Sequence, residues 1–267
     1  MSPLEDNLSD VLGKAMRGLG LTVEGVANKS GLSSRQVESL LQGTFDEPSV
    51  RVMGAALGLR EAALVHLGRK EYQPSATSPA NLVQVSTRYR DMSVNAYVLW
   101  DPSNRDAAIF DTGADASPIL AIVEREKLRV LSIFLTHTHT DHIQALGALT
   151  AALGAEAWSS ALEPLPGTQS FQPGDIFNAG CHFIRPRHTP GHTDGGTTFV
   201  IDGRALSAAV VGDALFAGSI GGVRKDYPQA LESIRREILD LPGSTIVCPG
   251  HGPITSVALE KENNPFF

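Results

Sequence analysis

The stretch Thr136-His137-Thr138-His139-Thr140-Asp141-His142 follows directly on Val130-Leu131-Ser132-Ile133-Phe134-Leu135. The apolar run has the length and β-branched content of a buried strand, which places the histidines where a strand leaves its sheet. Three imidazoles and one carboxylate within six positions are hard to account for as packing. In an extended turn His137 and His139 project the same way and can reach one cation, while Asp141 and His142 can point at a second one nearby. Imidazole and carboxylate form the donor set that suits zinc, iron or manganese.

Three further segments repeat the pattern of strand, small residue and ligand-type side chain. His188-Thr189-Pro190-Gly191-His192-Thr193 follows the short apolar stretch 181–184 and precedes the strand-like run 197–201. Gly212-Asp213 ends the apolar run 206–211, and Gly250-His251-Gly252 ends the run 245–248. Gly191 allows a tight turn before His192, and Pro190 stiffens the approach. Ligands presented at strand ends can converge on one edge of a sheet. Of the chain's eight His, six fall in these clusters. His66 is expected on a helix at or near the surface, and His182 inside a strand in a structural role.

The order Thr-His-x-His-x-Asp-His, His-Thr-Pro-Gly-His-Thr, Gly-Asp and Gly-His-Gly resembles the metallo-β-lactamase superfamily. Within it the chain is most similar to the glyoxalase II branch of thioester hydrolases, and especially to its short bacterial members. They show similar segments over 212–221, 249–253 and 262–266, so the resemblance covers about residues 80 to 267. It implies an αββα sandwich and two divalent cations, zinc ahead of iron or manganese. His137, His139 and His192 would hold the first cation, Asp141, His142 and His251 the second, and Asp213 would bridge them. His188 is no ligand in this scheme and is expected to be structural. The implied reaction is attack of a metal-bound hydroxide on the carbonyl carbon of a thioester or related small ester, with Asp141 also taking a proton as the tetrahedral species collapses. Persulfide dioxygenases share these motifs and use one iron, here held by His137, His192 and Asp213, the pattern of two His and one carboxylate. That reading stays open, as do a lactonase and a ligand-sensing, DNA-binding regulator. Cys181 and Cys248 are expected to be buried packing residues, since no cysteine nucleophile is needed. Two departures from the family put the thiol half of the substrate in doubt. The residues after His251 leave no room for the helical extension with which longer members bind glutathione. The segment 221–227 also differs, and its Arg224, Lys225 and Tyr227 either touch an anionic substrate or form a solvated loop.

Residues 1–72 carry none of these motifs and read as short helices. Leu8, Val11, Leu12, Ala15, Met16 and Leu19 recur at helical spacing, and Thr22 is the expected N-cap of a helix that Gly31 ends. Ser33 caps the next helix, 34–42. Pro48-Ser49 opens a helix over 50–57, and a last one covers about 60–68. The stretch 21–59 resembles the helix-turn-helix of the Xre/Cro repressor family, with a recognition helix over 33–41 offering Ser34, Arg35, Gln36 and Glu38. Residues 1–72 hold 8 Lys and Arg against 9 Asp and Glu, a net of −1. A DNA reader sets a basic patch against phosphates, so this balance favours a docking or dimerisation module over DNA binding, and a homodimer stays open.

Residues 73–80, with two Pro and several small polar side chains, read as a linker. Beyond it come strands over 82–87, 94–100 and 107–111, a helix over 116–127, the metal strand, and helices over 143–153 and 227–239. The expected fold class is thus α+β: an αββα metallo-β-lactamase sandwich over 81–267, preceded by a small all-α unit over 1–72. Of the net charge of −7, −6 lies after residue 72, which argues against a nuclease. Two Cys without close spacing, no signal pattern and no apolar run near ~20 residues point to a cytoplasmic protein with no membrane association.

Overall fold

The computed structural model describes residues 3–203 and 206–267. Two six-stranded sheets lie face to face. The first holds β1 (Leu82–Tyr89), β2 (Met92–Trp100), β3 (Asp106–Phe110), β4 (Arg129–Phe134), β5 (Glu156–Ser160) and β6 (Gln169–Phe171), in that order across the sheet. Its first three strands are antiparallel, and β3 to β6 run parallel. The second sheet contains β7 (Phe177–Ala179), β8 (His182–His188), β9 (Thr197–Asp202) and β10 (Ser207–Gly212). After the small hairpin β11 (Leu215–Phe216) and β12 (Ser219–Ile220), it is completed by β13 (Ile246–Pro249) and β14 (Thr255–Ser256), in the order β14-β13-β10-β9-β8-β7.

The layer between the sheets is apolar on both sides. Tyr97, Phe110 and Phe134 from the first sheet meet Phe199, Ile201 and Val210 from the second. Phe199 lies 5.3 Å from Phe134 and 5.5 Å from Phe110, centroid to centroid. Each such ring, fully withdrawn from water, contributes roughly 1.5–3 kcal/mol. The outer face of the first sheet is covered by α6 (Ser117–Glu126) and α8 (Leu146–Leu153), through Ile119, Ile122 and Leu149.

Five helices precede the sheets: α1 (Leu8–Gly18), α2 (Val23–Ser30), α3 (Ser34–Leu41), α4 (Glu47–Leu57) and α5 (Glu61–Gly68). Asn7 and Asp10 form a capping box on α1, Thr22 caps α2, and Gly31 ends it at φ +77°. Helix α4 starts at Glu47, not after Pro48-Ser49, because Asp46 accepts from the Ser49 amide and Pro48 fits the first turn. These helices pack on the outer face of the second sheet. Val11, Leu12, Met16, Leu57, Leu64 and Leu67 share one apolar cluster with Ala209, Val211, Ile220, Tyr227, Ile238 and Phe266. The same layer contains α9 (Tyr227–Ile234) and α10 (Val257–Asn263).

Two expected helices take other forms. The helix over 143–153 is divided into α7 (Thr140–Ile143) and α8. The His142 carbonyl is drawn out of the helical ladder by the Thr112 amide and hydroxyl, and the Ala145 amide turns to the Gly113 carbonyl. The helix over 227–239 becomes π-helical from Arg235 to Leu239.

Candidate metal centre

The seven expected ligands, though far apart in sequence, meet beside the ends of β4, β10 and β13. The Nε2 of His137 lies 3.1 Å from Nδ1 of His139, which lies 2.9 Å from Nε2 of His192. Donor atoms of these three residues fall within 4.8 Å of one another, as do those of Asp141, His142 and His251, and of His137, His142 and Asp213. Asp213 sits between the first two groups. Its Oδ2 is 3.3 Å from His192 Nε2 and 3.5 Å from His251 Nε2, and its Oδ1 is 3.4 Å from His142 Nε2.

The opposite ring atoms are held by the fold. His142 Nδ1 donates to Asp111 Oδ2 at 2.9 Å, His251 Nδ1 to the Ser93 carbonyl at 2.6 Å, and His192 Nδ1 to the Gly222 carbonyl at 3.0 Å. Each imidazole is thereby left with one nitrogen facing the shared space, the arrangement that orients metal-binding histidines. His142 Nε2 and Asp213 Oδ1 are buried there without a hydrogen-bond partner among the described residues, since their 3.4 Å separation lacks hydrogen-bond alignment. Buried polar atoms are seldom left so, and a cation between them satisfies both. Gly250 closes the floor: a Cβ there would come within 2.2 Å of Asp213 Oδ1 and 2.7 Å of the His142 ring. Donor chemistry, orphaned atoms and crowding all fit divalent metal.

The electrostatics divide the histidines. Burial and the His142 imidazole push His137 well below its ordinary range, and burial lowers His139 and His192 as well. Burial also pushes His142 and His251 down, but carboxylates outweigh it. Asp213 and Asp111 lift His142 to about 10, and Asp141 and Asp213 lift His251 to about 11. Burial raises Asp213, yet the imidazoles of His142 and His251 hold it well below the carboxylate range.

Two carboxylates that organise this centre escaped the sequence reading. Asp111 leaves β3 at φ +55° and accepts from the Thr136 amide and hydroxyl, both at 2.8 Å, besides His142. A polar residue ending an apolar strand was its only local signal. Glu163 accepts from the Thr138 amide at 2.7 Å and hydroxyl at 2.6 Å, and from the Gly195 amide at 3.1 Å. It thus ties the loop of His137 and His139 to the loop that follows His192. Glu163→Ala is expected to weaken metal binding by about 10- to 100-fold. Competition with a chromophoric chelator measures this, and an unchanged affinity would mean the loops hold themselves.

The remaining expected residues lie outside the donor set. His188 Nε2 is bonded to the Asp194 carbonyl at 2.8 Å, His182 is buried beside Asn81, and His66 is exposed on α5. Arg224 is exposed at the rim, where its charge acts on His139, and Lys225 pairs with Asp194. Tyr227 is neither a substrate contact nor a solvated loop residue. It is buried against Gly18 of α1, where a Cβ would come within 2.3 Å of its ring. Cys248 is buried as expected, whereas Cys181 is only half-buried, since it follows the turn at Gly180 on an outer hairpin.

Comparison with known proteins agrees with this arrangement. The chain is 32% identical over 198 residues to hydroxyacylglutathione hydrolase GloC of Haemophilus influenzae, covering 65% of this chain and 92% of the relative. It is 31% identical over 180 residues to the human mitochondrial persulfide dioxygenase ETHE1, covering 63% and 69%. Among solved structures, the di-iron-bound form of TTHA1623 superposes with a TM-score of 0.57 at 29% identity, covering 69% of this chain and 100% of that one. Residues 89–251 match the family model described as the metallo-beta-lactamase superfamily, and with its two-sheet sandwich and clustered His and Asp donors this chain belongs to that superfamily.

Proposed function

We propose that the protein is a binuclear metal-dependent hydrolase of the glyoxalase II type, cleaving a thioester or a related small ester. The observation that carries this reading is the pair of three-residue donor groups that share Asp213. His137, His139 and His192 would hold one divalent cation and Asp141, His142 and His251 the other. When bound, such a pair supplies Lewis acidity, which polarises a carbonyl and makes water available as hydroxide near pH 7. The protein's own groups fix the donors through Asp111, Ser93 and Gly222, and keep Asp213 charged in a buried setting. Asp141 is more open than Asp213, with side-chain exposures of 14% and 7%, so it is the carboxylate able to pass a proton between cleft and solvent. Arg224 offers a cation to an anionic part of the substrate.

Metal analysis of protein purified without added metal, combined with a panel of thioesters and lactones, tests the reading. Two cations per chain with thioester turnover are expected, zinc ahead of iron or manganese. One iron with oxygen uptake on a persulfide would establish the second reading, a persulfide dioxygenase. That reading is supported by the likeness to ETHE1 and by the approach of His137, His192 and Asp213.

Metal uptake should also release protons. In the metal-free protein His142 and His251, lifted to about 10 and about 11, are imidazolium at neutral pH. A ligating imidazole must be neutral, so zinc titration at pH 7 is expected to release about two protons per chain from these rings and up to about one more from a bound water, and affinity to weaken as pH falls. A pH-stat titration in weak buffer reads this directly, and zinc bound with no proton released would contradict the assignment of these two ligands.

We assign residues 1–72 to a helical unit, 73–80 to a connection and 81–267 to the sandwich, of which positions 1, 2, 204 and 205 lie outside the described residues. Ser34, Arg35, Gln36 and Glu38 are exposed on α3, as a helix-turn-helix would require. The acidic balance of this unit supports docking over DNA recognition. The full chain is therefore expected to bind duplex DNA no more tightly than the non-specific range of about 10⁻⁴–10⁻⁶ M at physiological salt, read by fluorescence anisotropy. Among the described residues no helix is long and apolar enough to cross a membrane.

A further inference from the structure

The segment ahead of α1 packs against the loop that carries His251. Glu5 packs against Gly252, the residue after His251: a Cβ on Gly252 would stand 3.1 Å from the Glu5 amide nitrogen and 3.4 Å from its Cβ. The Glu5 side chain is half-buried, and its charge acts on His251 and, more weakly, on Asp213. This approach is built into the fold. Asp6 is buried and pairs with Lys14 of α1, and Lys14 also donates to the Ile220 carbonyl at 2.8 Å. The Lys14 ammonium stands 4.9 Å over the Phe216 ring, which meets the His251 imidazole edge-on at 5.7 Å. Asn7 then starts α1 with its capping box. Arg224 is exposed, its amide donates to the Gly191 carbonyl next to His192, and its charge acts on His139. A carboxylate thus acts on the donor set from the His251 side and a guanidinium from the His139 side.

We propose that Glu5 forms the His251-side wall of the substrate cleft and sets its charge preference, so that the part of a substrate lying there is neutral or cationic. A charge fixed at the rim of a low-dielectric cleft acts on a bound ligand more strongly than it would in water. This gives the N-terminal helical segment a direct part in the site: it carries a specificity-determining carboxylate to the centre that the sandwich builds. The inference rests on the hydrolase reading for its substrate class, but not for its test.

Three thiols of similar length serve as probes on the zinc-loaded protein: mercaptoacetate, 2-mercaptoethanol and cysteamine, which carry a negative, no and a positive charge. Their dissociation constants are read by calorimetry for wild type, Glu5→Gln and Glu5→Lys, alongside turnover of the S-acetyl thioesters of mercaptoacetate and 2-mercaptoethanol. Glu5→Gln is expected to tighten mercaptoacetate about three- to tenfold, weaken cysteamine by a similar factor and leave mercaptoethanol unchanged. Glu5→Lys should move both charged thiols further in the same directions. Equal shifts for all three thiols, or none, would overturn the inference. So would failure of all three to bind wild type, because a wall residue needs a cleft that ligands enter. Charge-dependent thiol binding without thioester turnover would uphold the wall and remove the hydrolase reading. Turnover without a charge-dependent shift would do the reverse.

Discussion

Asp213→Asn is expected to lower thioester hydrolysis by about 10³-fold, roughly 4 kcal/mol of transition-state stabilisation, and to leave the protein short of metal. The substitution preserves volume and removes only charge. Among the described residues Asp213 is the single anion lying between both donor groups, within 3.3–3.5 Å of His142, His192 and His251. Without it, two cations would face five imidazoles and the carboxylate of Asp141, with nothing buried between them to offset their mutual repulsion. The amide also presents N–H donors where imidazole nitrogens need a cation or an acceptor. Burial argues that the loss is not made good by solvent, since Asp213 is only 7% exposed. Metal content and kcat/KM, measured on the same preparation, decide it. A variant with full metal and activity within tenfold of wild type would sink the bridging role.

Glu260→Ala should destabilise the fold by about 3–5 kcal/mol, while Glu260→Gln should be tolerated. Glu260 is fully buried and has no cation beside it among the ion pairs of the described residues. Its Oε1 accepts from the Tyr72 hydroxyl at 2.6 Å and the Thr255 hydroxyl at 2.7 Å. Its Oε2 accepts from the Gly218 amide at 2.9 Å and the Asn264 side-chain amide at 2.8 Å. Four donors from three parts of the chain thus close on one carboxylate, which locks the end of the helical segment to the β11–β12 hairpin and the C-terminal helix. Alanine strands all four. Glutamine does not: its oxygen can keep Gly218 and Asn264, while its NH₂ faces two hydroxyls that can turn and accept.

The pH dependence tests that tolerance. Burial raises the Glu260 carboxyl above 4.5, and the four hydrogen bonds bring it back only in part. A folded-state value above the unfolded one means the group's contribution is fully present below about 4.5 and is lost as pH rises through the raised value. Glu260→Gln removes that loss. It is therefore expected to match or exceed wild type in denaturant midpoint near pH 8 and to fall below it near pH 4. A Gln variant as unstable as Ala at both pH values would show that the hydroxyls do not reorient.

Much of the centre was legible because its parts are local. Each of His137, His192, Asp213 and His251 follows its own strand by a few residues, so an apolar run ending in a small residue and a ligand-type side chain reveals both placement and chemistry. The sandwich was legible for the same reason, since strands and helices alternate in period along 82–267. Asp111 and Glu163 were not legible in this way. Asp111 matters because the Thr136 amide and the His142 ring come to it, and Glu163 because Thr138 and Gly195 do. Nothing in the spacing of these residues announces those meetings. The split between α7 and α8 has the same origin, for the hydrogen bonds of Thr112 and Gly113 interrupt an otherwise continuous helical pattern. Tyr227, which by its place after Arg224 and Lys225 reads as either a substrate contact or a solvated loop residue, instead starts α9 and is buried against Gly18 of α1.

By itself the sequence determined which donor-type side chains follow which strands, because a side chain's type and its distance from a strand end are short-range properties. Only the tertiary structure decided that the N-terminal helices share a core with the second sheet, that Glu5 stands beside His251 and that Glu260 gathers four donors. A carboxylate's role is set by the groups brought around it, and packing brings those groups from segments apart in sequence, as with Tyr72 and Glu260, 188 residues apart.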